Sequence, residues 1–218
     1  MLSAQCRLCA GLSDAPVCAA CVALAFAPRE RCPVCAQPAP GARVCGRCLR
    51  EPPAFERGVA LADYDELTRP LIEALKFHDT PGLAPWLAAH LCTAVGALPA
   101  PTLILPVPLS AERLRARGYN QAWELARALA QQLQLSARAD LLLRVGERAP
   151  QAALTFAERR RNVKGAFACP APLHGEPVWL VDDVMTTGAT LDEAARTLRR
   201  AGAGAVSAVV VCRTPLSG

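Results

Sequence analysis

VWLVDDVMTTGAT, residues 178 to 190, is the most informative run in the chain. Four apolar residues, Val178 to Val181, lead straight into Asp182 and Asp183. Thr186, Thr187, Gly188, Ala189 and Thr190 then open a segment with Leu191, Ala194, Ala195 and Leu198 at helical spacing. The pattern predicts a buried strand, a loop and a helix N-terminus. A glycine turn at a helix start exposes backbone N–H groups in a region of partial positive charge, and threonine hydroxyls add donors, which together meet the needs of a phosphate cradle. The adjacent carboxylates can accept hydrogen bonds from sugar hydroxyls, and ligands of open α/β sheets bind beyond the carboxyl ends of the strands. The run lacks the lysine of a GxxxxGK[ST] loop and is not a GxGxxG turn. Without a ligand it would read as a strand end and a helix cap.

Upstream of this run, strand and helix signals alternate, which predicts an α/β domain with a largely parallel sheet. Strands are expected at 59–64, 102–108 and, downstream, 206–212. Helices are expected from Glu66 to His78, with Leu67, Leu71, Ala74 and Leu75 on one face, and around Leu83, Leu87, Leu91 and Val95. Another is expected around Ala122, Leu125, Ala126, Leu129 and Leu133. After the 102–108 strand, Arg113, Arg115 and Arg117 precede Gly118, Tyr119, Asn120 and Gln121 at the mouth of that helix, a composition suited to pyrophosphate, although a solvated arginine face accounts for some of them. A further basic cluster, Arg159, Arg160, Arg161 and Lys164, reads from its residues alone as a charged solvent face.

Eight of the 11 cysteines form four CxxC pairs within the first 48 residues: Cys6/Cys9, Cys18/Cys21, Cys32/Cys35 and Cys45/Cys48. A CxxC turn aims two thiolates at one ion and two turns fill a tetrahedral four-sulfur shell, so the segment predicts two structural zinc sites. Gaps of eight and nine residues suit sequential pairing into two ribbons, with cross-bracing as the alternative. The segment has little aliphatic core of its own, so metal binding supplies its folding free energy. Cys92, Cys169 and Cys212 stand alone in apolar settings as small hydrophobes. A proline pair at 52–53 and the onset of apolar periodicity at Val59 predict two units, residues 1–54 and 55–218.

With 218 residues, 52% of them hydrophobic and 20% charged, the chain can bury a core, and its length excludes a solenoid or a large multidomain machine. No apolar run reaches the roughly 18 residues of a membrane span, and the start carries no secretory pattern, so a cytoplasmic protein is expected. Of 24 basic residues, 22 are arginine, a bias that follows either from genome composition or from phosphate chemistry. The first 54 residues carry six arginines against three carboxylates, a basic excess that either reflects genome composition or serves weak, salt-sensitive contact with phosphates.

The 178–190 run closely resembles the phosphoribosyl pyrophosphate (PRPP) motif of type I phosphoribosyltransferases. Taken with the double CxxC ribbon, LIEALKFHD, PVPL, RGYNQ and AERRRNVKGAF in this order, the chain resembles the ComF/GntX family of phosphoribosyltransferase-like proteins. The resemblance runs from about Cys6 to Thr214. It implies a type I phosphoribosyltransferase-like fold with an N-terminal double zinc ribbon. Asp182 and Asp183 would face the ribose, and Thr186, Thr187, Gly188, Ala189 and Thr190 would surround the 5′-phosphate. Arg117 and Asn120 would lie at the pyrophosphate loop, with Arg160 and Lys164 stabilising the leaving group and magnesium on the pyrophosphate. It further implies a role in natural transformation on or near incoming single strands, alongside DNA-uptake or recombination proteins. Phosphoribosyl transfer to an acceptor and a non-catalytic PRPP-sensing or nucleic-acid-binding scaffold both remain open, because residues 55 to 80 show no obvious base-reading set.

Overall fold

The structure, a computed structural model, describes residues 4–77, 82–96, 103–145 and 163–216. Two short ribbons come first. The hairpin strands β1 (Ala4–Gln5) and β2 (Leu12–Ser13) lead to helix α1 (Ala19–Ala25), and a second cysteine ribbon ends in α2 (Gly46–Arg50). The remaining elements are β3 (Arg57–Asp63), α3 (Arg69–Phe77), α4 (Leu83–Val95), β4 (Leu103–Pro106), α5 (Ala111–Arg117), α6 (Gln121–Leu133), β5 (Ser136–Ala137), β6 (Leu143–Arg144), β7 (Phe167–Ala168), β8 (Val178–Met185), α7 (Ala189–Arg200) and β9 (Val206–Arg213). The expected class is borne out: a five-stranded parallel sheet in the order β3-β9-β8-β4-β5, flanked by helices.

Both faces of this sheet are covered, so its central strands read as continuous apolar runs. All eight residues of β9 are buried. Val209 and Val211 join Trp179 and Val181 under α3, α4 and α6, whereas Ala208 and Val210 join Leu180 under Leu191, Ala194 and Leu198 of α7. Cys6, Val17 and Cys21 of the first ribbon belong to the α3/α4/α6 cluster.

The strand order reverses between β4 and β8. From β4 the chain moves outward to β5, and from β8 it moves the other way to β9. Open α/β sheets bind ligands at such a switch point, beyond the carboxyl ends of the strands. That is where β8 ends in the 182–190 run.

Several boundaries differ from those expected. Helix α3 starts at Arg69 because Asp65 and Thr68 form a reciprocal turn: the Thr68 backbone N–H donates to Asp65 Oδ1 at 3.0 Å and the Asp65 N–H to Thr68 Oγ1 at 3.1 Å. Leu67 falls in that turn and is partly exposed. The arginines Arg113, Arg115 and Arg117 occupy a helix of their own, α5, started by Ser110 and closed by Gly118. They therefore do not form a turn at the mouth of α6; the turn is Gly118 to Asn120. The 51–56 segment is tied down, with the Ala54 N–H donating to Asp192 Oδ1 at 2.7 Å and Phe55 buried beside α7.

Candidate functional site

Asp182 and Asp183 sit near the carboxyl end of β8, where each accepts one backbone hydrogen bond. The Asp183 N–H reaches Asp182 Oδ1 and the Val184 N–H reaches Asp183 Oδ1, both at 2.9 Å. Burial, then the adjoining Asp183 carboxylate, pushes Asp182 well above the usual carboxylate range. Asp183 is 6% exposed, and its Oδ2 has no hydrogen-bond partner among the described residues. The nearest cation is Lys76, whose Nζ stands 3.4 Å from that oxygen.

Beyond the pair, Thr186 is exposed, Thr187 is buried and Gly188 caps α7 with φ +81°, a left-handed conformation that a side chain disfavours. Thr187 Oγ1 accepts the Ala189 N–H at 3.3 Å, and Ala189 and Thr190 form the first turn of α7. Strand end, left-handed glycine and helix N-terminus thus follow one another as the sequence implies, with the partial positive charge of α7 at the loop.

Residues from other elements converge less completely. Asn120 is the N-cap of α6: its Oδ1 accepts the Ala122 N–H at 3.0 Å and its Nδ2 donates to the Val107 carbonyl at 3.1 Å. It therefore holds the end of β4 against the start of α6. Arg117 Nη1 donates to Gln121 Oε1. Tyr119 reaches further, donating its hydroxyl to the Leu75 carbonyl on α3, next to Lys76. Lys164 is exposed and lines a surface pocket with Ala189, Glu193, Arg196 and Arg200, on the flank of α7. Arg159, Arg160 and Arg161 lie outside the described residues.

Lys76 is the site residue that sequence reading missed. As one of only two lysines in an arginine-rich chain it carried a weak signal, but nothing local ties residue 76 to residue 183. Only the packing of α3 does so.

The eight CxxC cysteines gather into two groups, Cys6/Cys9/Cys18/Cys21 and Cys32/Cys35/Cys45/Cys48, with the sulfurs of each within 4.8 Å of one another. Knuckles thus pair sequentially. Both groups are built alike. The Cys18 N–H donates to Cys6 Sγ and the Cys45 N–H to Cys32 Sγ, each at 3.3 Å, and Ala10 and Ala36 each turn their knuckle with a positive φ. Burial pushes the Cys6 and Cys32 thiols up, but backbone N–H donors, first those of Cys18 and Cys45, overcome it and bring them to about 6 and about 7. Four sulfurs gathered within reach of one ion, one of them in each group already stabilised as a thiolate, fit zinc.

The second ribbon docks directly behind the 186–190 loop. Arg213, at the end of β9, is fully buried. Its Nε donates to the Cys35 carbonyl at 2.8 Å, and its Nη1 donates to the carbonyls of Met185 at 2.7 Å, Thr214 at 2.9 Å and Thr186. Burial lowers this guanidinium to about 10, which leaves it charged at neutral pH. Arg47 of α2 donates to the Thr187 carbonyl at 2.8 Å, and Gln37 Nε2 to that of Thr214 at 2.8 Å. Arg29 and Arg31 pair with the buried Asp63 at 3.0 and 2.7 Å. At least three of the six ribbon arginines thus serve this junction, which reduces the free positive charge expected there. Cys212 is fully buried and its thiol is pushed up to about 12 by burial, as expected of an inert hydrophobe.

No protein-family model matches the chain. Among curated proteins it is 36% identical over 216 residues to DNA utilization protein YhgH of Escherichia coli K12, covering 96% of this chain and 95% of that protein. It is 36% identical over 170 residues to competence protein F of Haemophilus influenzae, covering 74% of each. Among solved structures, Leishmania donovani UMP synthase matches with a TM-score of 0.39 and 20% identity, covering 62% of this chain and 24% of that one. Identity at this level, over 96% of the chain in one case and 74% in the other, shows that the chain belongs to the ComF family.

Proposed function

We propose that the chain is a PRPP-binding protein of DNA utilization, working in the cytoplasm on or near incoming single-stranded DNA, with residues 1–54 as a zinc-bearing module and 55–218 as the ligand-binding domain. The observation that carries this reading is the succession of Asp182/Asp183, a left-handed Gly188 and the α7 N-terminus at the switch point of a parallel sheet. Asp182 and Asp183 accept hydrogen bonds from the ribose hydroxyls, and the 186–190 loop holds the 5′-phosphate. Magnesium would neutralise the pyrophosphate. Arg117 would contact the pyrophosphate, and Lys164 with Arg160 would stabilise it as it leaves. The names of the relatives support the DNA connection.

Calorimetry with PRPP and magnesium tests the site. Gly188→Val should remove binding through the strain of a branched residue at positive φ, its Cβ and branch crowding Met185, whose Sδ would stand 3.5 Å from that Cβ. The double change Asp182→Asn and Asp183→Asn should weaken it; a loop variant that binds as well as the parent refutes the cradle. Asp182→Asn has a second consequence. A carboxyl raised in the folded state contributes most stability below its ordinary pKa of about 3.9 and loses it as pH rises through the raised value. The variant should therefore raise the melting temperature at neutral pH while weakening ribose binding. Pyrophosphate release across a panel of bases distinguishes transfer from binding alone. Fluorescence anisotropy with a labelled oligonucleotide at low and moderate salt tests the DNA contact.

A further inference from the structure

We infer that Arg213 is the positioning residue through which the second cysteine cluster, and not the first, sets the geometry of the 186–190 loop. This inference rests on the reading of that loop as the phosphate site. The guanidinium carries the carbonyl of Cys35, itself a cluster residue, and the carbonyls of Met185 and Thr186 at the loop entrance. Arg47, which lies between Cys45 and Cys48, takes the next carbonyl, that of Thr187. In a planar trans peptide the C=O and the following N–H point to opposite sides. Turning the Thr186 and Thr187 carbonyls toward two arginines therefore aims the N–H groups of Thr187 and Gly188 away from the ribbon, as successive donors of an anion nest. The two buried or half-buried positive charges beneath the loop add to the field that an anion meets there.

The coupling follows from what the guanidinium would lose. A metal at the second cluster fixes Cys35 by its sulfur and so fixes its carbonyl. If the cluster relaxes, a fully buried cation loses an acceptor, and Arg213 already has Nη2 without a hydrogen-bond partner among the described residues. With a second donor unsatisfied, the guanidinium carries a further free-energy cost in that position. It shifts toward other acceptors and draws the Thr186 carbonyl with it. The first cluster is placed differently: Phe26 at the end of α1 packs on Trp86 and His90 of α4.

Amide hydrogen exchange of residues 186–190 in the full chain, read by mass spectrometry beside zinc content, tests this with a matched pair of variants. Cys18→Ser and Cys45→Ser remove equivalent ligands from the two clusters. In Cys45→Ser, exchange in the loop should rise by about tenfold or more, and in Cys18→Ser it should stay near that of the parent. Arg213→Lys keeps the charge but not the fork, so it should retain both metals while the loop exchanges faster. If Cys45→Ser does not fold, Arg47→Ala with both metals bound takes its place and should show the same local rise. Equal effects of the two cysteine variants, or an unchanged loop in Arg213→Lys, overturn the inference. Binding of PRPP with magnesium is the second arm, weakened by Cys45→Ser and Arg213→Lys alone. Absence of PRPP binding in the parent would refute the proposed ligand, while the exchange result would still decide the coupling.

Discussion

Cys18 and Cys45 stand at the same place in two ribbons of the same build, each the N-cap of a short helix and each donating its N–H to the first sulfur of its own cluster. Their surroundings have little in common. The first ribbon docks by apolar contact, with Val17, Cys21 and Phe26 against the α4 side of the sheet. The second has only a small core of cysteines, Ala39 and Val34, and docks by polar contacts: Arg31 to Asp63, Arg47 to the Thr187 carbonyl, Gln37 to the Thr214 carbonyl, and the Cys35 carbonyl to Arg213. A motif repeated in sequence therefore does not imply a repeated role. Apolar docking is non-directional and tolerates small shifts, whereas a fan of hydrogen bonds from one guanidinium transmits them.

Stripping the metal is the largest perturbation this contrast allows. Metal analysis of protein purified without added zinc should find two ions per chain, one for each four-cysteine group. Structural zinc contributes on the order of 10 kcal/mol to small ribbons. Chelation should therefore unfold both, yet only loss of the second should alter ligand binding at the 186–190 loop. Near-zero metal, with the eight cysteines in disulfides, would remove the basis of the comparison.

Next in size is Gly58→Ala. The Gly58 N–H donates to the Pro33 carbonyl at 3.0 Å, and a Cβ there would meet the Val34 carbonyl oxygen at 2.6 Å, a contact that backbone cannot relieve cheaply. The substitution should cost about 1–3 kcal/mol in denaturant titration and loosen the second ribbon alone. Phe26→Ala is its counterpart on the first ribbon, removing the ring contacts to Trp86 at 5.8 Å and His90 at 5.1 Å between centroids. A half-buried aromatic contact of this kind is worth about 0.5–1.5 kcal/mol beyond the area it covers. PRPP affinity should not change.

The smallest effect separates the ribbons by pH. Burial holds the His90 imidazole below its ordinary value, so the unfolded chain takes up a proton where the folded protein resists it. The stability contributed is present above the ordinary imidazole pKa of about 6.5 and is lost as pH falls through it toward the lowered value. Between neutral pH and about pH 6, amide exchange in residues 19–26 should rise more than in residues 46–50, and His90→Gln should remove the difference.

The 178–190 run determined its own strand, loop and helix start, because apolar periodicity, a glycine and a helix N-terminus are properties of neighbouring residues. The CxxC spacing likewise determined two four-sulfur groups, and the alternation of elements from Val59 onward determined a parallel α/β sheet. Tertiary structure decided the rest. Asn120 serves as a helix cap tied to Val107, α3 delivers Lys76 to Asp183, and Asp63 gathers Arg29 and Arg31 across the ribbon junction. Arg213, at the end of a valine-rich strand, gives no local sign of the carbonyls from Cys35, Met185 and Thr186 that converge on it. Those partners are set by how ribbon and sheet pack, and a buried cation takes the acceptors that packing places around it.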